Sequence, residues 1–445
     1  MVTPTSEDLS APSLRAAAPV SDATRVRSYF ASTVGNLLEW FDWAVYAAMS
    51  PFIATALFNP ANKVSGLLAT LAVFAVGFVM RPVGGVVFGF LANRRGRKFV
   101  LLVTMIGMAV GTLSIAVIPT YAAIGGWSSF LLVVARLLQG LAHGGETAIS
   151  YSYVTEVAPR ERRGLWSSGV LGCVIAGTIL ANAVAGTLTA ATSEGFMADG
   201  GWRIPFVIGA ALGIYALFLR RSMMESDVYE RATTSGAGDA RSITSLPSWS
   251  AGRIVRRSTQ LVFYVAGGSV VQYTWTAYAG TYAITQKHMS PSAAYWSLLV
   301  AQVVGLAFMP FWGWVSDRVG RRPLVIAYGI VFAALVYPAF TFIGSTWWTL
   351  AVPATLIFAL WGMSGSQSPA VQAENVTTRH RAPVVGAVSS IAAALFGGTA
   401  PYLSAYTGSV GAPWAFQVFV IVLCLISAIV GFTLKETKGV DLEKV

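Results

Sequence analysis

Few residues in this chain have both the type and the setting to do chemistry. Of 30 Lys and Arg, 19 Asp and Glu and three His in 445 residues, only Glu39, Asp42, Glu146, Arg81, Arg136 and His143 fall well inside long apolar runs, with Arg203 at the edge of one. Charges buried in an apolar phase are costly and mark pathways. Glu39 and Asp42 are three apart and Asn36 precedes Glu39 by three, so a helix puts all three on one face. Two carboxylates that close in a low dielectric disfavour double ionisation, which keeps one ready to hold a proton. The competing reading, a pair kept ionised by arginines to fix helix packing, stays open, as does a gating role for Glu39.

A second constellation runs through Arg136, Gln139, His143, Glu146 and Ser150, advancing by steps of three and four along one helical face. Within an apolar phase such a stripe must line water, a partner helix or a substrate. Gly140, Gly144 and Gly145 flank it and let a neighbour approach closely. His143 titrates near neutral pH in ordinary settings, so the proton-handling set is Glu39, Asp42, His143 and Glu146. Arg81 precedes Pro82, and a guanidinium offers a planar two-pronged fit to a carboxylate. Arg81 is therefore the first candidate ligand for a substrate carboxylate, with Arg136 and Gln139 next. From the second half Gln272, Tyr273, Tyr278, Gln302 and Gln367 are candidates to complete the site. Aromatic residues at these depths also form ordinary interfacial belts. Ion-pairing within the protein remains the alternative for both arginines.

The elements that must position these groups are membrane helices. The chain is 55% hydrophobic and 11% charged, with a mean hydropathy of +0.64. A soluble domain carries about 25% charged residues. Apolar runs near the roughly 20 residues needed to cross a bilayer recur throughout. They predict an all-α integral membrane protein with spans at 29–57, 65–92, 98–119, 128–154, 165–192 and 202–220, then 259–286, 291–316, 323–343, 347–371, 384–405 and 413–434. This gives an N-terminal six-helix bundle at 29–220 and a C-terminal one at 259–434. The polar stretch 221–258 reads as a cytoplasmic linker, 1–28 as a disordered cytoplasmic tail without the apolar core of a signal peptide, and 435–445 as a C-terminal tail.

The net charge of +11 does not indicate a nucleic-acid partner, because the basic residues sit in short clusters between apolar runs. Twenty-five Lys and Arg fall in the tails, the linker and alternate loops, and only Lys63 and Lys287 in the opposite loops. By the positive-inside rule both termini and the linker are expected in the cytoplasm. Cys173 and Cys424 lie in apolar runs of opposite halves, so neither a disulfide framework nor a metal site is expected, and nothing calls for a cofactor.

The halves repeat. Gly89-Phe-Leu-Ala-Asn93-Arg94-Arg95-Gly96-Arg97-Lys98 recurs as Gly313-Trp-Val-Ser-Asp317-Arg318-Val319-Gly320-Arg321-Arg322, at an offset of 224 residues. Glu156 to Arg163 and Glu374 to Arg381 repeat a seven-residue spacing in the two halves. The first pair of loops resembles the signature of the major facilitator superfamily, G-x-x-x-D-R-x-G-R-R. Gly35-Asn-Leu-Leu-Glu39-Trp-Phe-Asp42, Met80-Arg81-Pro82, Arg136-Leu-Leu-Gln139-Gly140 and Trp202-Arg203-Ile-Pro205 narrow the resemblance to its metabolite:proton symporter branch. The Tyr273-Thr-Trp275 region and the short C-terminus look more like the α-ketoglutarate permeases than the osmolyte importers.

The resemblance implies two six-helix bundles and alternating access. It also implies proton-coupled symport of a small organic acid, α-ketoglutarate- or dicarboxylate-like or another carboxylate, into the cell. A proline or betaine importer and a proton-driven exporter are the alternatives; an enzyme is not expected. The implied partners are the substrate, protons and the lipid of a bacterial inner membrane, with the protein a monomer. Gating is implied for Gly89, Asn93, Arg94 and Arg97 and for Gly313, Asp317, Arg318 and Arg321. Asn93 departs from the pattern, since the family has Asp there. It keeps a hydrogen-bond acceptor but loses the charge that favours docking at a helix N-terminus.

Overall fold

In the computed structural model the described residues are 22–59, 63–95, 97–144, 151, 154–221 and 249–442, with only the backbone described at 22–35, 63, 89–90, 92–95, 97–98, 101, 216 and 218–221. The first bundle comprises α1 (Asp22–Leu57), α2 (Lys63–Arg95), α3 (Arg97–Val117), α4 (Trp127–His143), α5 (Arg163–Ala191) and α6 (Ile204–Arg221). In the second, α7 (Ala251–Tyr273) passes through a π-turn at Thr274–Tyr278 and continues as Ala279–Lys287. It is followed by α8 (Pro291–Val319), α9 (Arg321–Phe342), α10 (Trp347–Gly365, then Ser368–Glu374), α11 and α12 (Pro413–Thr433). α11 runs over Arg381–Ala392, a second π-turn at Ala393–Gly397, and Ala400–Ser409.

Two expected boundaries shift. Helix α1 begins at Asp22, within the stretch read as a tail to residue 28, and α7 begins at Ala251, within the stretch read as linker to 258. In both places the helix extends past its apolar run into basic sequence: Arg25 and Arg27, then Arg253, Arg256 and Arg257. At 36 residues, α1 is about 54 Å long, well beyond the ~30 Å hydrocarbon core.

The outer surface is apolar. Val86, Val117, Val255 and Ile429 are among many large hydrophobic side chains left exposed, the pattern of a surface solvated by lipid rather than water. Seven helices among the described residues are long and apolar enough to cross a membrane by length and composition alone. α3 and α6 have shorter apolar runs, while α1 and α4 carry the buried polar groups described below.

Within the first bundle, α2 and α4 meet backbone to backbone. A methyl group on Gly140 would run into the Gly77 carbonyl, and one on Gly84 into that of Leu141. Between the bundles the seam is formed by α5 against α8, α2 against α11, and α1 against α7. It is closed at both ends. On the face of the signature loops, Gly164 of α5 packs on Gly313 of α8. On the opposite face the Ser50 and Thr281 hydroxyls are 3.1 Å apart, and the Tyr295 hydroxyl donates to the Ala48 carbonyl at 2.5 Å. The conformation is occluded.

Candidate substrate and proton site

Between the bundles lies a cavity of about 70 Å3, small beside the ~300–1,000 Å3 of typical ligand pockets, in keeping with the closure at both ends. The first bundle contributes Asn36, Trp40, Arg81 and Tyr151; α7, α10 and α11 contribute Gln272, Tyr273, Trp361 and a set of serines. Both π-turns adjoin it: Tyr273 immediately precedes one and Ala393 opens the other. π-turns commonly mark functional positions because they re-aim side chains. The second also brings Gly397 against the Tyr273 ring, where a side chain would not fit.

Arg81 is the charged residue of this lining among the described residues. It is 5% exposed, and its guanidinium lies 4.4 Å from the Trp43 ring and 4.0 Å from the Phe78 ring. Its polar neighbours are the Tyr273 hydroxyl and the Glu39 carboxyl group, yet Nε and Nη2 have no hydrogen-bond partner. The amide nitrogens of Asn36 and Gln272, also on the cavity wall, are likewise unpartnered. Buried donors are normally satisfied. Donors from both bundles thus converge on one cavity, an arrangement suited to a group that supplies acceptors only, such as a carboxylate.

Glu39 and His143 form a second unit behind Arg81. Glu39 Oε1 touches His143 Nδ1, and the Trp43 indole N–H donates to the same nitrogen at 3.2 Å. An imidazole nitrogen has a single lone pair, so Nδ1 accepts from one donor at a time, the Trp43 indole or a protonated Glu39.

Asp42 does not share it. Its Oδ2 accepts from Thr112 Oγ1 at 2.7 Å; Thr112 Oγ1 accepts from Gln139 Nε2 at 2.8 Å; and Gln139 Oε1 accepts from Arg136 Nη1 at 2.7 Å. Arg136 stacks on Tyr46 at 3.5 Å and on Trp43 at 4.7 Å. This chain runs through the interior of the first bundle, across α1, α3 and α4. The expectation that Glu39 and Asp42 act as one carboxylate pair is therefore corrected: their side chains find different partners. Arg136 and Gln139, expected as substrate ligands, face the bundle interior and not the cavity. The polar stripe of α4 is real up to His143, but it packs against neighbouring helices; Glu146 and Ser150 lie outside the described residues. Trp43 joins the two units, since both guanidiniums stack on it and it bonds His143.

Of the second-half candidates, Gln272 and Tyr273 line the cavity. Three do not. Tyr278 packs with Leu71 and Ala405 where α7 and α11 meet α2 toward the opposite face. Gln302 accepts from Asn182 at 3.1 Å across the α5–α8 seam. Gln367 accepts from Ser316 at 2.8 Å beside the signature loop. Sequence reasoning placed none of Trp40, Trp361, Ser364, Gln372, Ser389 and Ser390 in the site, and left out Asn36 although its position on the Glu39 face was legible.

At the signature-loop face, Asp317 accepts from the backbone N–H of Gly164 at 2.8 Å and of Leu165 at 2.9 Å, and pairs with Arg321 at 2.7 Å. A carboxylate at the N-terminus of α5 is the favourable arrangement for that helix end. The repeated Glu/Arg spacing interlocks the bundles reciprocally: Arg381 bonds Glu156 at 3.1 Å and Arg163 lies 3.7 Å from Glu374. Arg321 also pairs with Glu374 at 3.3 Å. Arg318 stays outside this lock, stacked on Trp314 at 4.1 Å. Gly89, Asn93, Arg94 and Arg97 occupy the matching place between α2 and α3, where side chains are not described. The segment after α12 straps both bundles. Glu436 accepts from the N–H groups of Arg321 and Arg322, Val440 accepts from Arg163 at 2.6 Å, and Leu442 accepts from Arg381 at 2.9 Å.

A family profile described as Major Facilitator Superfamily matches residues 33–401 and 288–444. The α-ketoglutarate permease of Escherichia coli is 34% identical over 94% of this chain and 96% of its own length. The proline/betaine transporter of Salmonella typhimurium is 30% identical over 94% and 85%, and the citrate–proton symporter of Klebsiella pneumoniae is 30% identical over 91% and 91%. Among solved structures, the proton:xylose symporter XylE superposes with a TM-score of 0.74 over 95% of this chain and 98% of that one, at 18% identity, which speaks to the fold. Two helical bundles, a cavity between them, a signature loop locking one face and these matches have one explanation: the chain is a multi-pass membrane transporter, not an enzyme, and belongs to the Major Facilitator Superfamily, in the group that includes the α-ketoglutarate permease, the citrate–proton symporter and the proline/betaine transporters.

Proposed function

We propose that the chain is a secondary active transporter that carries a small organic acid into the cell together with protons, by alternating access of the central cavity. The observation that carries this reading is Arg81: a buried guanidinium on the cavity wall with two nitrogens unpartnered, close to the contact between Glu39 and His143. With Glu39 deprotonated, its carboxylate is the internal partner of Arg81. Protonation, with the proton shared toward His143, removes that competitor and leaves Arg81 to a substrate carboxylate. The loaded, occluded carrier then buries no unpaired charge, the condition for crossing a low-dielectric barrier. Coupling is thus an exchange of partners at one guanidinium.

Two of the relatives by name, the α-ketoglutarate permease and the citrate–proton symporter, agree with an acid substrate, while the proline/betaine transporter points to a zwitterion. The signature-loop face is the cytoplasmic one by the distribution of Lys and Arg, which puts both termini and the connection between α6 and α7 inside. The protein acts as a monomer, with its whole translocation path inside one chain. A second reading has its own support: Trp40, Tyr151, Tyr273 and Trp361 give the cavity an aromatic wall, which would suit the onium group of a proline- or betaine-like zwitterion.

The test is uptake into proteoliposomes under an imposed pH gradient, with keto, hydroxy and aromatic acids and zwitterions in one panel. An Arg81→Gln protein should lose at least about a hundredfold in affinity, since two charge-assisted bonds are each worth about 1.5–3 kcal/mol. Uptake of the active compound at unchanged KM in Arg81→Gln refutes the assignment.

A further inference from the structure

The cavity matches one carboxylate and not two. Besides Arg81, the described lining contains no Lys, Arg or His. The sequence at 145–150 and 152–153, outside the described residues, contains none either. The second-bundle wall is neutral, and apart from Gln272 part of it is bonded to itself: Gln372 Oε1 accepts from Ser389 at 2.9 Å, and Gln372 Nε2 donates to Ser368 at 3.1 Å. The Trp361 indole N–H is taken by the Gly268 carbonyl at 3.1 Å. Of the cavity-lining residues described, Arg81, Asn36 and Gln272 carry the buried donors left unpartnered, enough for the acceptor lone pairs of a single carboxylate. Arg136 donates to Gln139 through Nη1 and stacks on Tyr46, and although its Nε and Nη2 are also unpartnered it does not line the cavity.

We infer that this site selects substrates presenting one ionised carboxylate, so that a dicarboxylic acid is bound as its singly protonated form and its dianion is rejected. The inference rests on the reading that the cavity takes a carboxylate at Arg81. Its physical basis is that a second carboxylate would be buried against hydroxyls and indole rings without a counter-charge, and an uncompensated buried charge is expelled or neutralised. A carboxylic acid group, a hydroxyl, a keto group or an ester carbonyl meets no such penalty, because each can accept from or donate to the serine hydroxyls.

The experiment compares α-ketoglutarate with its monomethyl ester at the distal carboxyl, each titrated against purified protein. The readout is intrinsic fluorescence, to which Trp40 and Trp361 on the cavity wall contribute. Both compounds keep one ionised carboxylate throughout, but only the diacid gains a second charge between about pH 4 and about pH 7.5. Taking the ratio of the two dissociation constants at each pH cancels changes in the protein's own protonation. The expected result is a ratio of diacid to ester that rises at least about tenfold across this range, with Arg81→Gln weakening the ester at both ends. A flat or falling ratio, with the ester still dependent on Arg81, overturns the single-carboxylate inference and leaves the parent reading standing. Ester and diacid both binding without dependence on Arg81 overturns the parent reading and this inference with it.

Discussion

Replacing Asp317 by Asn tests how the signature-loop face is held shut. The carboxylate receives two backbone N–H bonds from the start of α5, at 2.8 and 2.9 Å, and one from Arg321 at 2.7 Å. Asn offers one carbonyl oxygen for these donors and turns its amide N–H groups toward the remainder. The loss combines one backbone bond, the charge assistance of another and the helix-terminus attraction, about 2–4 kcal/mol of closed-state stability in sum. Arg321 keeps Ser316 and Glu374 as partners, so the damage is confined to the cross-bundle contact. That corresponds to a shift of roughly 30- to 900-fold in the closed-to-open ratio. The assay is a spin-label distance between cysteines at Arg162, after which α5 begins, and Val319, the last residue of α8. Both positions are exposed, and Cys173 and Cys424 are replaced by alanine. Asp317→Asn should add a long-distance population that the parent protein lacks or barely shows. An unchanged distance distribution refutes the claim that this carboxylate holds the bundles together.

Other consequences are equally direct. Gly140→Ala places a methyl group against the Gly77 carbonyl, so α2 and α4 must separate at a cost of about 1–3 kcal/mol; a lower Tm and weaker substrate binding through displaced Arg81 should appear together in a thermal-shift titration. Burial alone would raise the pKa of Glu436, but hydrogen bonds from the backbone N–H groups of Arg321, Lys438, Arg322 and Thr437 outweigh it and hold the carboxyl below its ordinary 4.5. Its contribution to strap docking is therefore complete above that ordinary value and lost only as pH falls through the depressed one. Maleimide labelling of Leu442→Cys, a site 7% exposed, should be flat in strap-dependent protection from pH 8 to about pH 5, while Glu436→Gln should raise labelling roughly tenfold at every pH, a loss of about 1.4 kcal/mol.

The helices were legible because their signal is redundant: an apolar run long enough to span a bilayer leaves few alternatives. The signature repeat likewise located the lock at Asp317 and Arg321, since docking a carboxylate at a helix end needs only local sequence. The site was legible where a charge had to be explained, at Arg81, Glu39 and His143. It failed where helical periodicity was asked to name a partner. Glu39 and Asp42 do lie three apart on α1, yet that helix touches α5 on one side and α3 and α4 on others, and a side chain's rotamer decides which neighbour it meets. Arg136 shows the same limit: periodicity put it on the polar stripe, and packing against Tyr46 turned it into the bundle. Most of the second-bundle wall was silent because Ser364, Ser389 and Ser390 are common in membrane helices and carry no cost that would draw notice. The π-turns that bring Tyr273 and Ala393 to the cavity leave no mark in composition.

The most direct test of partner exchange at Arg81 is to run pH-driven accumulation and substrate counterflow side by side on Glu39→Gln in proteoliposomes. The glutamine amide can donate to His143 Nδ1 as a protonated Glu39 would, fixing the proton-loaded arrangement permanently. Counterflow should then persist at near-parental rates while accumulation against a gradient disappears. Accumulation that survives in Glu39→Gln would contradict the account, whatever the substrate proves to be.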